Sequence, residues 1–161
     1  MQLARLESAR GNFDTAIRAF RDIRTEAKRL GEKHSQMEAS VYLSEIGTRL
    51  GDAIGTLELL AGAEAEAGDD AELYACALAR ARAGALAFLG RTAEACSEVE
   101  SGLTIARAEG LQYEEALLLV TRSRLGDACE GGREVSIREA EILFRKLGVV
   151  TEAPAETVSV S

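Results

Sequence analysis

GNFDTAIRAFRDIRTEAKRLG, Gly11 to Gly31, is the stretch that decides how this chain is built. Gly11-Asn12 is a turn signal, and behind it Phe13, Ala16, Ile17, Phe20, Ile23 and Ala27 recur at spacings of three and four. Those spacings follow one face of a 3.6-residue period, so the stretch reads as an amphipathic α-helix. Lys28 and Arg29 sit in its last turn and Gly31 just past it. Cations suit the negative end of the helix dipole and glycine accepts positive φ without a Cβ clash, so the helix stops at Gly31.

Working outward, the same grammar recurs. Before Gly11, Leu3 and Leu6 mark a short helix over Met1 to Arg10. After Gly31, Met37, Val41, Leu43, Ile46 and Leu50 form a helix from Ser35 to the stop at Gly51-Asp52, and Ile54, Leu57, Leu59, Leu60 and Ala63 a partner that stops at Gly68. A third pair has Asp70 as N-cap and runs through Leu73, Tyr74, Ala77, Leu78, Leu86 and Leu89 to Gly90, then from a Thr92 cap through Ala95, Val99, Leu103 and Ile105 to Gly110. A fourth begins near Gln112 and halts at Gly126. Its second helix, delayed by a loop over Ala128 to Arg133, resumes at Ser136 and ends at Gly148.

The glycines inside the hairpins, Gly11, Gly51, Gly90 and Gly126, are therefore 40, 39 and 36 residues apart, and the closing glycines Gly31, Gly68, Gly110 and Gly148 are 37, 42 and 38 apart. Two interleaved, nearly periodic series of helix stops are the mark of a helical-hairpin repeat. The fifth and ninth residues after each inner glycine repeat a small residue followed by a bulky one: Ala16 and Phe20, Thr56 and Leu60, Ala95 and Val99, with Ala140 and Phe144 beyond the last loop. The expected fold class is all-α, an array of about three and a half hairpins over residues 1–31, 34–68, 70–110 and 112–148, followed by a disordered tail at 149–161.

Composition narrows the function. The 161 residues are long enough for a real core, and 47% hydrophobic content with only 4% aromatic and no Trp fits closely packed helices. The net charge of −8 opposes bulk attraction to nucleic acid or to an anionic membrane. No apolar run is long enough to span a bilayer and the first ten residues lack a signal core, which points to the cytoplasm. Cys76, Cys96 and Cys129 are odd in number and share no CxxC spacing, so they read as buried thiols rather than a disulfide framework or a zinc site.

Chemistry is sparse. His34, the single histidine, lies at a turn between hairpins and reads as a surface or capping residue, and no phosphate-cradling glycine loop occurs. The acidic clusters Glu64/Glu66, Asp69/Asp70 and Glu114/Glu115 read as solvated faces. Neither a catalytic residue, a cofactor site nor a metal site is expected.

The alanine and aromatic spacing in Ala16-x3-Phe20 and the hairpin period resemble the tetratricopeptide repeat family over nearly all of residues 1–148, and the ending LFRKLGVV, Leu143 to Val150, is similar to how large bacterial signalling proteins with such repeats finish. The repeats are longer than the family's usual ones, have no terminal proline, and lack its first-helix tryptophan and tyrosine. KRLGEK at Lys28 to Lys33 and EAGDD at Glu66 to Asp70 are similar to the long repeats at the C-terminal ends of large bacterial LuxR-type regulators and cyclase-linked signal-transduction ATPases. The resemblance implies a right-handed solenoid whose first helices line a concave groove. By the family's register, Arg5, Glu38, Val41, Glu45, Thr48, Arg49, Ala77, Arg80, Gly84, Ala87, Phe88, Tyr113, Ala116, Val120, Ser123 and Arg124 face that groove.

Arg49, Arg80 and Arg124 would then make a basic ladder suited to an acidic peptide or chain terminus, with Phe88 and Tyr113 beside it. The competing reading pairs these arginines with Glu38, Glu45 and neighbouring helices. Three functions follow: a non-catalytic protein-binding scaffold or sensor segment in bacterial signalling or transcriptional regulation; a regulatory fragment acting in cis on a nucleotide-hydrolysing or cyclase domain; or a self-assembling unit. The short first helix leaves an apolar edge at Leu3 and Leu6, which reads either as the cut face of a longer protein or as a homodimer contact.

Overall fold

The computed structural model describes residues 1–149, and the expected tail from Val150 onward lies outside them. Eight α-helices are present among the described residues: α1 (Gln2–Ala9), α2 (Phe13–Leu30), α3 (Lys33–Arg49), α4 (Ala53–Ala67), α5 (Ala75–Phe88), α6 (Thr92–Ala108), α7 (Gln112–Leu125) and α8 (Gly132–Lys146). Two 3-10 turns, Gly68–Tyr74 and Gly126–Ala128, interrupt the series, and no strand occurs among the described residues. Each helix packs on the next, and α3 also touches α5, as α5 touches α7.

The helix stops work as the glycines require. At Gly31 (φ 73°) the Gly31 N–H donates to the Lys28 carbonyl and the Glu32 N–H to the Ala27 carbonyl at 2.9 Å. This paired closure satisfies two carbonyls left without partners at the helix end. The same pair of bonds forms at Gly11, Gly51, Gly90, Gly110 and Gly148. Gly68 and Gly126 differ, because each opens a 3-10 turn instead of a tight helix-to-helix corner.

Four local expectations need correction. Asp70 does not cap a helix: it lies within the first 3-10 turn, and its carboxylate is taken by Lys33 Nζ at 2.7 Å. Thr92 is the first helical residue, preceded by Arg91, whose guanidinium grips Glu94 through two bonds of 2.7 and 2.6 Å. The third helix starts at Lys33, ahead of Ser35. The last one starts at Gly132, ahead of Ser136, which faces the interior and is fully buried.

The core is divided into three clusters strung along the chain. Ala4, Ala16, Phe20, Ala39 and Ile46 join α1, α2 and α3. Met37, Val41, Leu60, Ala63, Leu78 and Ala81 join α3, α4 and α5. A larger cluster joins α5 to α8 through residues such as Ala83, Val99, Leu103, Leu118, Leu119 and Phe144. Helices α3 and α5 each contribute to two clusters, so each is apolar on two sides and shows little amphipathic bias. All eight residues of the recurring small-and-bulky pairs are buried. Close approach is helped by Gly102 on α6, where a Cβ would stand 2.9 Å from Leu118 and 3.1 Å from Ala79.

Candidate functional site

A groove of about 430 Å³ runs across the odd-numbered helices. Arg5 comes from α1; Glu38, Val41 and Tyr42 from α3; Leu73 and Tyr74 from the first 3-10 turn; Ala77 and Arg80 from α5; and Tyr113, Glu114 and Leu117 from α7. The chain has three tyrosines and one histidine, and all four line this groove. Such a concentration of rings in a chain poor in aromatics resembles the composition of binding hot spots, where rigid rings provide contact area at small entropic cost.

The walls are held from behind. Tyr42 stacks on Phe20 with ring centres 4.9 Å apart and takes the Arg5 guanidinium on its other side, 5.2 Å from the ring centre. Burial raises the Tyr42 phenol above its ordinary pKa, partly countered by the Arg5 charge. His34 leans on Tyr74 at 5.9 Å, and Tyr113 meets Phe144 edge to face at 6.2 Å. At the floor, the Cys76 thiol donates to the Gly102 carbonyl. Burial first, and then the Glu114 charge, push that thiol upward, so it stays protonated and unreactive near neutrality.

The charges are unevenly committed. Arg80 Nη1 is bound by Glu45 across the α3–α5 seam. The Glu38 and Glu114 carboxylates make no hydrogen bond or ion pair among the described residues. Only two buried side-chain polar atoms there lack a partner, Arg80 Nε and Glu114 Oε2, and both belong to this groove. Buried polar groups left unpaired are rare because each forfeits its hydration. A larger hollow of about 630 Å³ between α2, α3 and α4 has no aromatic wall; its Arg24 is spent on Ser40 and Glu66, and its Asp52 on capping the Gly55 N–H.

Compared with known proteins, the chain matches no family model and no curated sequence.

The structure separates the expected ladder. Arg80 and Tyr113 line the groove, whereas Arg49, Phe88 and Arg124 occupy the last turns of α3, α5 and α7 and line none of it. With 1.5 Å of rise per residue they lie roughly 10 Å further along their helices. Phe88, 57% exposed, sits beside the Gly51 turn. Leu3 and Leu6 are exposed on α1. Glu114, expected on a solvated face, lies instead in the groove with a buried, unpaired oxygen. Tyr42 and Tyr74 were missed as groove residues, although Tyr74 and Tyr113, 39 residues apart, follow the hairpin period.

The cysteines are corrected as well. Cys96 on α6 and Cys129 in the loop before α8 form a disulfide, and only Cys76 is a free thiol. A motif search by spacing does not detect a bond that closes across 33 residues and depends on a loop folding back. Near it, Arg122 is buried and was not anticipated: its Nε donates to Ser136 at 2.9 Å, and its Nη atoms meet Glu100 and Glu139, each at 3.2 Å.

Proposed function

We propose that residues 1–148 form a right-handed, tetratricopeptide-type hairpin solenoid that acts as a non-catalytic protein–protein interaction module, a scaffold or sensor segment of bacterial signalling or transcriptional regulation. The observation that carries the reading is the single groove drawn from α1, α3, α5 and α7, which gathers every tyrosine of the chain. Packing of α3 on α5 and of α5 on α7 supports a stacked array, since first helices meet across hairpins when hairpins stack. The three separate core clusters support it too, because each is completed by neighbouring hairpins.

A photo-crosslinking side chain at Leu73, which is 77% exposed on the groove rim, tests this reading without disturbing the core. Crosslinks to a partner from Leu73 but not from Glu58, on the exposed face of α4, are the expected outcome. Equal crosslinking from both positions, or from neither, overturns it.

Self-assembly through the first helix is the second reading, favoured by Leu3 at 72% and Leu6 at 46% exposure on one short helix. Sedimentation of the chain beside the variant carrying Leu3→Glu and Leu6→Glu decides it: a concentration-dependent dimer lost in the variant supports it, and monomers throughout remove it.

A further inference from the structure

We infer that the groove receives a basic peptide segment, an arginine- or lysine-bearing stretch of a partner protein whose cation is met by Glu38 and Glu114 and whose side-chain stem lies along the tyrosine rings. The inference rests on the interaction-module reading and names its ligand class.

The argument is one of unspent charge. Four ionised side chains at the groove matter: Arg5, Arg80, Glu38 and Glu114. Arg80 is already neutralised by Glu45, whereas Arg5 lies over the Tyr42 ring and pairs with no carboxylate. Against that one cation stand two carboxylates without a partner among the described residues, so the net charge on offer to a ligand is negative. An acidic peptide would have to approach Glu38 and Glu114 with like charge, and desolvating two carboxylates against a third is costly. A cation removes that cost and gains charge-assisted hydrogen bonds, with Tyr74 and Tyr113 supplying ring faces for a guanidinium or ammonium, both faces of Tyr42 being taken by Phe20 and Arg5.

The orphaned atoms specify a peptide more closely. Glu114 Oε2 is an acceptor without a donor and Arg80 Nε a donor without an acceptor. A basic peptide brings both complements, N–H donors on its side chain or backbone and C=O acceptors on its backbone. Leu73 and Leu111, both exposed, line the same groove and offer contact to apolar flanking residues. The net charge of −8 steers a cationic partner toward the molecule.

The test uses the full chain and three pools of blocked nonapeptides with randomised flanks, their central residues fixed as arginine, as glutamate or as glutamine. Binding is followed by amide NMR shifts. The expected result is that the arginine pool shifts the amides of Tyr74, Ala77 and Glu114. Glu114→Gln with Glu38→Gln then weakens that binding at least about tenfold, whereas Glu58→Gln, which removes one carboxylate from α4 outside the groove, leaves it unaltered. A glutamate or glutamine pool that shifts the groove amides equally or more overturns the basic-peptide inference while leaving the interaction module standing. Shifts outside the groove, or equal weakening by Glu58→Gln, show general attraction to an acidic surface and also overturn it. Silence from all three pools at the groove overturns the inference, and the Leu73 crosslink then decides the interaction module separately.

Discussion

Arg24 and Arg122 are built on the same local pattern and end in different environments. Each reaches from one helix to a fully buried serine on the next, Arg24 Nε to Ser40 at 3.1 Å and Arg122 Nε to Ser136 at 2.9 Å. Each serine donates its own hydroxyl proton to the carbonyl four residues back, at Gln36 and Gly132. Both guanidinium groups then bind glutamate: Arg24 takes Glu66 at 3.0 Å, and Arg122 takes Glu100 and Glu139. Yet the Arg24 side chain remains 29% exposed and Arg122 only 7%.

What separates them is the backbone above. Arg24 borders the open hollow between α2 and α4. Over Arg122 lies the loop that leads into α8, where a Cβ on Gly131 would stand 3.2 Å from the guanidinium, and the Cys96–Cys129 disulfide ties that loop to α6. An ion pair near water contributes little because solvent competes for both charges, whereas removing one member of a covered pair strands the other. An inserted loop has changed the energetic weight of an otherwise repeated contact.

Reduction of the disulfide attacks that difference most strongly. Its closure spans 33 residues, so chain-entropy arguments give about 4 kcal/mol of stability lost on reduction or on Cys129→Ser. Denaturant titration of the oxidised and reduced chains measures it, and equal midpoints would mean that the bond constrains nothing.

Arg122→Ala comes next, with an expected loss of about 3 kcal/mol in the oxidised chain, since Glu100, Glu139 and Ser136 lose their shared partner. Repeating it in the reduced chain sharpens the comparison. If the tethered loop is what makes Arg122 matter, the two changes are non-additive and the arginine's effect shrinks on reduction. Strict additivity would assign the burial to the helices alone.

Arg24→Ala is expected to cost about 1 kcal/mol, discounted for exposure, and to fall further in high salt. A loss equal to that of Arg122→Ala would break the comparison.

The smallest effect is one of pH. Glu66 is held below its ordinary value of 4.5, chiefly by the hydrogen bond from Lys28, with the Arg24 charge and the Gln36 bond adding to it against partial desolvation. Its native pKa lies below its unfolded one, so the contribution is complete above 4.5 and is lost as pH falls through the lowered native value. Glu66→Gln should lower stability slightly at neutral pH, where the contribution is complete, and flatten the acid limb, so that the two profiles converge below the lowered native value, as thermal melts across that range will show.

Much of the fold was legible because it depends on local rules. Helix stops at Gly11, Gly31, Gly51, Gly90, Gly110 and Gly148 follow from backbone freedom and hydrogen bonds within six residues of chain. Burial of pairs such as Ala16/Phe20 follows from the 3.6-residue period. The misses share a different cause: Asp70 and Thr92 have the right chemistry for caps, but Lys33 claims Asp70, and Arg91 with Glu94 occupies the start that Thr92 was expected to make. Of the five candidate groove residues, Arg80 and Tyr113 fall in the groove. Arg49, Phe88 and Arg124 do not, since a register carried along a repeat gives the face of a helix more securely than the distance along it.

The sequence by itself determined the all-helical character, the position of nearly every helix and the near-periodic hairpin spacing, because propensity, period and glycine punctuation act over a few residues. Only the tertiary structure decided that Tyr42, Tyr74 and Tyr113 share one groove, that one Glu114 carboxylate oxygen is buried without a partner, that Cys96 meets Cys129, and that Arg122 is covered while Arg24 is open. Each of these depends on which surfaces meet across 30 or so residues of chain, and burial and Coulomb energy are set by that meeting and not by the residue type alone.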